Sequence, residues 1–310
     1  MNRISMIKLG VGLSALALTC VACKGKEEAP AAGTAAPTAT ATAAADPNEV
    51  AVGKEIVAAT GANSFSEGKV SAIDGTKVTY EYGEPDKTTN KRPTYTVDKA
   101  KVFVIGAPQK NPPKVGDFVI AKSATGSWNG CEVKTAEGNV LGCEDWYGKV
   151  NNADLKSTII PDAVTGADIK QSLARSAKHR AFETAAKAAG KPVVPKGWKP
   201  KPKDAVVVLF AGSSWHGATV EKVDGEKVTV KWDSTAWKDP AEKAMNEVVP
   251  APKGVASVKE GNFIILPPKS LGFSWEYRKV VSVTKETAEV IDKDDQKSTV
   301  NLKEVLAIAP

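Results

Sequence analysis

Apolar and polar residues alternate with a period of two in short runs from about residue 51 to the C-terminus, and the runs fall into four similar copies. Phe65, Trp128, Trp215 and Trp275 are each followed five residues later by a valine, namely Val70, Val133, Val220 and Val280. Five residues further on stand Gly75, Gly138 and Gly225, each preceded by an acid (Asp74, Glu137, Asp224); the fourth copy has Lys285 there. An acid followed by glycine between alternating runs predicts a hairpin, because glycine takes the positive φ of a tight turn at no steric cost. Val78 and Tyr80, Leu141 and Cys143, Val228 and Val230, and Ala288 and Val290 follow at matching offsets, as strands require.

Upstream, Val52-Gly53 and Val115-Gly116 stand at equal distances before Phe65 and Trp128. The third copy has an apolar strand, Ala205–Phe210, and the fourth begins at Gly261 with an insertion around Pro267-Pro268. Val97 and Val102, Val150 and Leu155, and Val300 and Val305 are spaced alike and predict a short turn into a closing strand; the third copy ends near Met245–Val249. The units are 51–108, 114–163, 203–250 and 257–310, each of five short strands. Such a unit, with an aromatic opening its second strand and a central hairpin, resembles the SH3-like barrel of the Tudor and agenet families. The segment VVVLFAGSSWHGATVEKVDGEKVTVKW at 206–232 carries the resemblance most fully. It implies a mainly β chain of tandem five-stranded SH3/Tudor-like barrels with one connecting α-helix. Small barrels have marginal cores alone, so packing in pairs, 1 with 2 and 3 with 4, is expected.

The helix comes from residues 166–203, where Ile169, Leu173, Ala177, Ala181, Ala185 and Ala189 recur every four residues, with Phe182 beside them and Gly190 as a stop. An alanine-lined buried stripe is expected, followed by an extended Pro/Lys linker, KPVVPKGWKPKPK, at 191–203. Charge concentrates here. Ten Lys and Arg stand against Asp168 and Glu183, a net of +8, although the whole chain, with 42 Lys plus Arg and 36 Asp plus Glu, is only +6. Arg175, Lys178, Arg180, Lys196, Lys199, Lys201 and Lys203 are candidate anion-binding residues for lipid headgroups, a polysaccharide or, less favoured, nucleic acid. The competing reading is a solvated helix face and a soluble linker.

The N-terminus supplies an address. MNRISMIKLGVGLSALALTCVAC has a basic start, an apolar stretch too short to span a bilayer, and small residues before a cysteine, the zones of an export signal. It resembles a bacterial lipoprotein precursor with residues 1–22 removed and Cys23 lipidated; Cys20 is the rival, and a plain secretory signal the alternative. Lys24 after the anchor leans towards the outer membrane. Residues 23–50 include APAAGTAAPTATATAAAD, which has no large apolar side chain to offset ordering entropy and reads as a flexible tether.

At 42% hydrophobic and 6% aromatic, the composition excludes a polytopic membrane protein, a collagen-like chain and a disulfide-dense toxin. Within the resemblance, the aromatics Phe65, Trp128, Trp215, Trp275 and Trp232 are candidate ligand-binding residues, since Tudor aromatics can cage a methylated cation. Rings packing the barrel wall are the preferred reading, because the aromatics that would complete a cage vary between copies. Cys131 and Cys143 flank the second hairpin symmetrically about Glu137, which places them face to face within disulfide reach; two buried thiols are the alternative. Outside the signal there is no Cys-x-x-Cys, and no catalytic motif surrounds His179 or His216. IDKDDQK, with Asp292, Asp294 and Asp295, lacks the glycine and final glutamate of a calcium loop and reads as a decorated turn. No cofactor or metal is expected. The sequence thus points to a lipid-anchored, non-enzymatic binding or scaffolding module at the bacterial envelope, with an envelope protein or cell-wall polymer as partner. Alternatives are a surface-exposed, adhesin-like protein that binds anionic polymer or host matrix through the basic connector, and a hydrolase.

Overall fold

A computed structural model describes residues 46, 48–108, 111–268 and 274–309. Cys23, the 1–22 segment and most of the 23–50 tether lie outside the described residues. The chain is mainly β, with four small antiparallel Tudor-like sheets in tandem and one helix. Barrel 1 comprises β1 (Glu55–Gly61), β2 (Ser64–Asp74), β3 (Lys77–Tyr82), β4 (Thr94–Asp98) and β5 (Val102–Val104). Barrel 2 comprises β6 (Phe118–Lys122), β7 (Trp128–Glu137), β8 (Val140–Glu144), β9 (Val150–Asp154) and β10 (Thr158–Ile159). Helix α1 (Ala163–Ala188) and the short β11 (Lys191–Pro192) follow. Barrel 3 comprises β12 (Ala205–Phe210), β13 (Ser214–Asp224), β14 (Lys227–Trp232), β15 (Ala241–Ala244) and β16 (Val248–Pro250). Barrel 4 comprises β17 (Phe263–Leu266), β18 (Glu276–Val283), β19 (Thr287–Ile291), β20 (Lys297–Asn301) and β21 (Leu306–Ala309). In each, four strands form a meander and the fifth pairs back on the first.

Two devices repeat in all four barrels. The first is a backbone clasp before the first strand, where Gly53, Gly116, Lys203 and Gly261 donate to the carbonyls of Val70, Val133, Val220 and Val280. All four have positive φ, and at Lys203 (φ 74) a residue with a Cβ accepts a conformation that costs on the order of 1–3 kcal/mol. The second is a bulge just after that valine, at Val70/Ala72, Val133/Thr135, Val220/Lys222 and Val280/Ser282, which increases local twist and helps each sheet curl. The predicted hairpins form with Gly75, Gly138 and Gly225 at φ 56, 59 and 58.

The register corrects one expectation. The hairpin turns about Gly138-Asn139, with Glu137 opposite Val140, and not about Glu137, so even after the one-residue slip of the bulge Val133, not Cys131, stands opposite Cys143. Cys131 instead reaches Cys143 across the diagonal, and the two form a disulfide inside barrel 2 with Cα atoms 5.5 Å apart.

The barrels associate as 1 with 2 and 3 with 4, and α1 packs on both pairs. Val57, Ile120, Trp128 and Ile159 bury against Ile169, while Val207, Trp215, Ile265 and Ile308 bury against Ala186. Each fully buried aliphatic side chain contributes roughly 1.5–3 kcal/mol relative to exposure. The alanine stripe is a second correction: Ala177, Ala181 and Ala185 face solvent, whereas Ile169, Phe182 and Ala186 face inward. A step of four residues overshoots the 3.6-residue turn by about 40°, so a stripe that starts in the interface at Ile169 rotates out of it within two turns. Asp162 caps the helix, its side chain accepting from the Thr165 N–H at 2.8 Å.

The Pro/Lys segment is bound at both ends. Lys191 and Pro192 pair with Ala309 and Ile308 of barrel 4, the Val193 N–H donates to the Ala307 carbonyl at 2.8 Å, and Trp198 packs against the core of barrel 3.

Candidate functional site

The repeated aromatics sit at the pair interfaces. Trp128 and Trp215 are each 5% exposed, and Phe65 and Trp275 are half-buried beside them. Each buried indole donates across its interface to the residue two places after the partner barrel's aromatic. Trp128 Nε1 donates to Glu67 at 2.7 Å, and Trp215 Nε1 donates to the Tyr277 hydroxyl at 3.2 Å. The barrel that supplies the indole carries glycine at that same place. A Cβ on Gly130 would run into Asn63 and Ile169, and one on Gly217 into the Asp233 carboxylate. Lys122 pairs with Glu67 at 2.7 Å. Burial opposes the charge on Glu67, but hydrogen bonds from Lys122 and Trp128 outweigh it and hold the carboxyl below its ordinary value of 4.5. Burial pushes the Tyr277 phenol up. In pair 3–4 the backbone also joins the barrels, with the Trp275 N–H donating to the Trp215 carbonyl at 2.7 Å.

Trp232 lies elsewhere, at the open end of barrel 3 among Phe210, His216 and Trp237. Trp237 lies on Phe210 with centroids 4.6 Å apart and planes 15° from parallel, and it also touches His216 at 4.6 Å. Stacked rings at that spacing are in contact, so nothing fits between them. The position a cation would take over Phe210 and Trp232 is held by Lys243, whose ammonium is 5.7 and 5.8 Å from their centroids and donates to the Leu209 carbonyl. Burial pushes the His216 imidazole down. The shared registers place Thr60, Ser66 and Tyr82, then Ser123, Asn129 and Asp145, then Pro268, Glu276 and Asp292 where barrel 3 has Phe210, His216 and Trp232.

The cations of the connector divide into two groups. Arg175 donates two hydrogen bonds to Asp294 (2.9 and 3.2 Å), His179 contacts the same carboxylate at 2.7 Å, Lys178 pairs with Asp295, and Arg180 donates to the Trp146 carbonyl. The acids of the β19–β20 turn are therefore partners of the helix, and Arg175 and His179 hold the Asp294 carboxyl well below its usual range. Lys196, Lys199, Lys201 and Lys203 are exposed and form no ion pair among the described residues.

One concave feature was not legible in the sequence, an apolar groove of about 870 Å³ between barrels 1 and 2. Phe103 and Val104 of β5 and the following Pro108 form one wall, Ile159 of β10 and Ile160 form the other, and Pro112 and Asn48 also line it. Both strands lie at sheet edges. Lys156 is the one ionisable side chain among the described lining residues, so the groove offers apolar surface and backbone polar groups rather than charge.

No protein-family profile and no curated protein matches the chain. Solved structures similar to it include the tandem agenet domains 3–4 of AGDP1 from Arabidopsis thaliana, at 14% identity over 41% of this chain and 88% of that one, TM-score 0.26. The four MBT repeats of Drosophila melanogaster Sfmbt in complex with a methyl-lysine peptide are similar at 11% identity over 83% and 88%, TM-score 0.17. The human TDRD1 extended Tudor domain in complex with a symmetrically dimethylated peptide is similar at 14% identity over 67% and 93%, TM-score 0.18. At such scores the Tudor-like character of the barrels rests on their own strand orders and registers.

Proposed function

We propose that the protein is a lipid-anchored bacterial envelope protein, held at the outer membrane through Cys23, whose barrels act as a non-enzymatic binding or scaffolding module for another envelope component. The apolar groove between barrels 1 and 2 carries the binding part of this reading, because an exposed concave apolar surface between two packed bodies is the usual form of a binding site. The anchor part is supported by the spacing of Arg3, Lys8, the apolar stretch and Ala22-Cys23. Cys23→Ser should prevent acyl labelling and move the protein from the membrane to the soluble fraction; unchanged fractionation would remove the anchor. For binding, wild-type bait should capture from envelope extract a partner that Ile160→Lys bait loses, and identical captures would remove the groove as the site.

A second reading is favoured by the four exposed lysines at 196, 199, 201 and 203, unpaired among the described residues, which would retain an anionic polymer such as an envelope polysaccharide or host matrix. Replacing all four with glutamine should abolish salt-sensitive retention on a sulfated resin. Retention that survives the change would dismiss this reading.

A further inference from the structure

The two barrel pairs are built on one plan, and among the described residues only one of them is filled. Ile159 stands opposite Ile120 in barrel 2 as Leu306 stands opposite Ile265 in barrel 4, with both registers counted from the glycine clasp, so Ile160 corresponds to Ala307. By the same count Val102 and Val104 of barrel 1 correspond to Val248 and Pro250 of barrel 3. In pair 3–4 the space beside the closing strands holds the chain's own KPVVP segment. Lys191 and Pro192 pair with β21, the Val193 N–H bonds to Ala307, and Val194 shares a recess with Met245 and Val248. In pair 1–2 the corresponding walls, Phe103 and Val104 on one side and Ile159 and Ile160 on the other, border the open groove.

We propose that the groove between barrels 1 and 2 binds an extended Val/Pro-containing peptide of a partner protein, laid against Ile160 by strand addition as Pro192–Pro195 is laid against Ala307. The inference rests on the binding role proposed above and adds the ligand class. A short β-branched segment flanked by prolines suits the site because proline limits the entropy lost on ordering, and branched side chains fill an apolar slot beside an edge strand. Pairing would extend no further than Ile160, since Pro161 has no N–H and Asp162 turns the chain into α1.

The probe is a fluorescein-labelled peptide with the chain's own 190–198 sequence, GKPVVPKGW, titrated into the full chain in detergent and followed by anisotropy. Saturable one-to-one binding is expected, weakened about tenfold or more by Phe103→Lys and by Ile160→Lys, a difference of roughly 1.4 kcal/mol or more. Far-UV circular dichroism checks that both variants fold, and Ile160→Ala, which should weaken binding less, serves if either does not. N-methylation of the first valine of the peptide, the analogue of Val193, should abolish binding, because it removes the N–H meant for the Ile160 carbonyl, while methylation of the second valine should be tolerated. Equal binding of both methylated peptides, or binding indifferent to the groove variants, would overturn the proposal. So would binding that appears only after residues 24–45 are deleted, which would make the chain's own tether the occupant. If Ile160→Lys loses a captured envelope partner while the peptide never binds, the binding role stands and the strand-addition ligand class falls.

Discussion

The two barrel pairs solve one packing problem with different chemistry. In both, a tryptophan indole crosses to the position two residues after the partner's aromatic, and the indole's own barrel has glycine at that position, where a Cβ would run into Asn63 and Ile169 in one pair and Asp233 in the other. Pair 1–2 accepts the indole on a carboxylate that also holds Lys122, whereas pair 3–4 accepts it on a phenol and adds a backbone bond and a strand of linker. A carboxylate latch titrates and is screened by salt. A phenol latch backed by main chain does neither over the acidic range. The first pair is therefore the adjustable one and the second the sealed one.

The largest expected effect contrasts the interface rings. Trp215→Ala should destabilise by about 3–5 kcal/mol, because its 5% exposure means a cavity replaces a filled site, while half-buried Phe65→Ala should cost clearly less. Denaturant midpoints of the two variants test this; equal losses would mean that the depth to which each ring is buried does not set its cost. Next, Val193→Pro removes the N–H given to Ala307 and should cost about 1–3 kcal/mol. Proteolytic cleavage within 191–203, which the intact bonds of β11 should suppress, ought to appear in that variant.

A smaller effect follows from acid. The folded-state pKa of Glu67 lies below its ordinary value of 4.5, so its contribution is complete above that value and is lost as pH falls through the folded one. With 42% of the side chain exposed, solvent screening holds the effect to about 1 kcal/mol or less. Hydrogen exchange below that pH should loosen β2 and β7 before β13 and β18, and Glu67→Gln should erase the difference. The smallest effect is at the helix clamp. Asp294→Asn should shift the unfolding midpoint slightly, and mainly at low salt, because its Arg175 partner is two-thirds exposed and the pair is screened. Since its folded pKa is depressed from 3.8, that contribution too is lost on acidification below this value.

What could be read from the sequence was local. Acid-Gly turns and period-two alternation depend on neighbouring residues, so four barrels were visible from Phe65, Trp128, Trp215, Trp275 and the valines after them. The register of the second hairpin was not, because its two-residue turn is centred on Gly138-Asn139, one and a half residues beyond Glu137, and a bulge after Val133 makes up only one residue of the offset, so the Cys131–Cys143 bond came out diagonal. The helix was visible but its buried face was misplaced, since four-residue spacing matches one turn and then drifts. The groove was invisible because it depends on how the closing strands of two barrels approach each other. Ile160 follows a two-residue strand, and nothing in its neighbours distinguishes it from an ordinary exposed apolar residue. Glu67 and Tyr277 share a position with Gly130 and Gly217, a large-and-small alternation that acquires meaning only once the partners are known.

Helix α1 also has a metrological use. Its 26 residues span about 39 Å between one pair and the other, with both ends packed and the middle held by ion pairs. Ala177, Ala181 and Ala185 point away from everything it touches. Probes attached there would ride on the strut without disturbing either pair, making the helix a fixed baseline from which any displacement of the barrels could be triangulated.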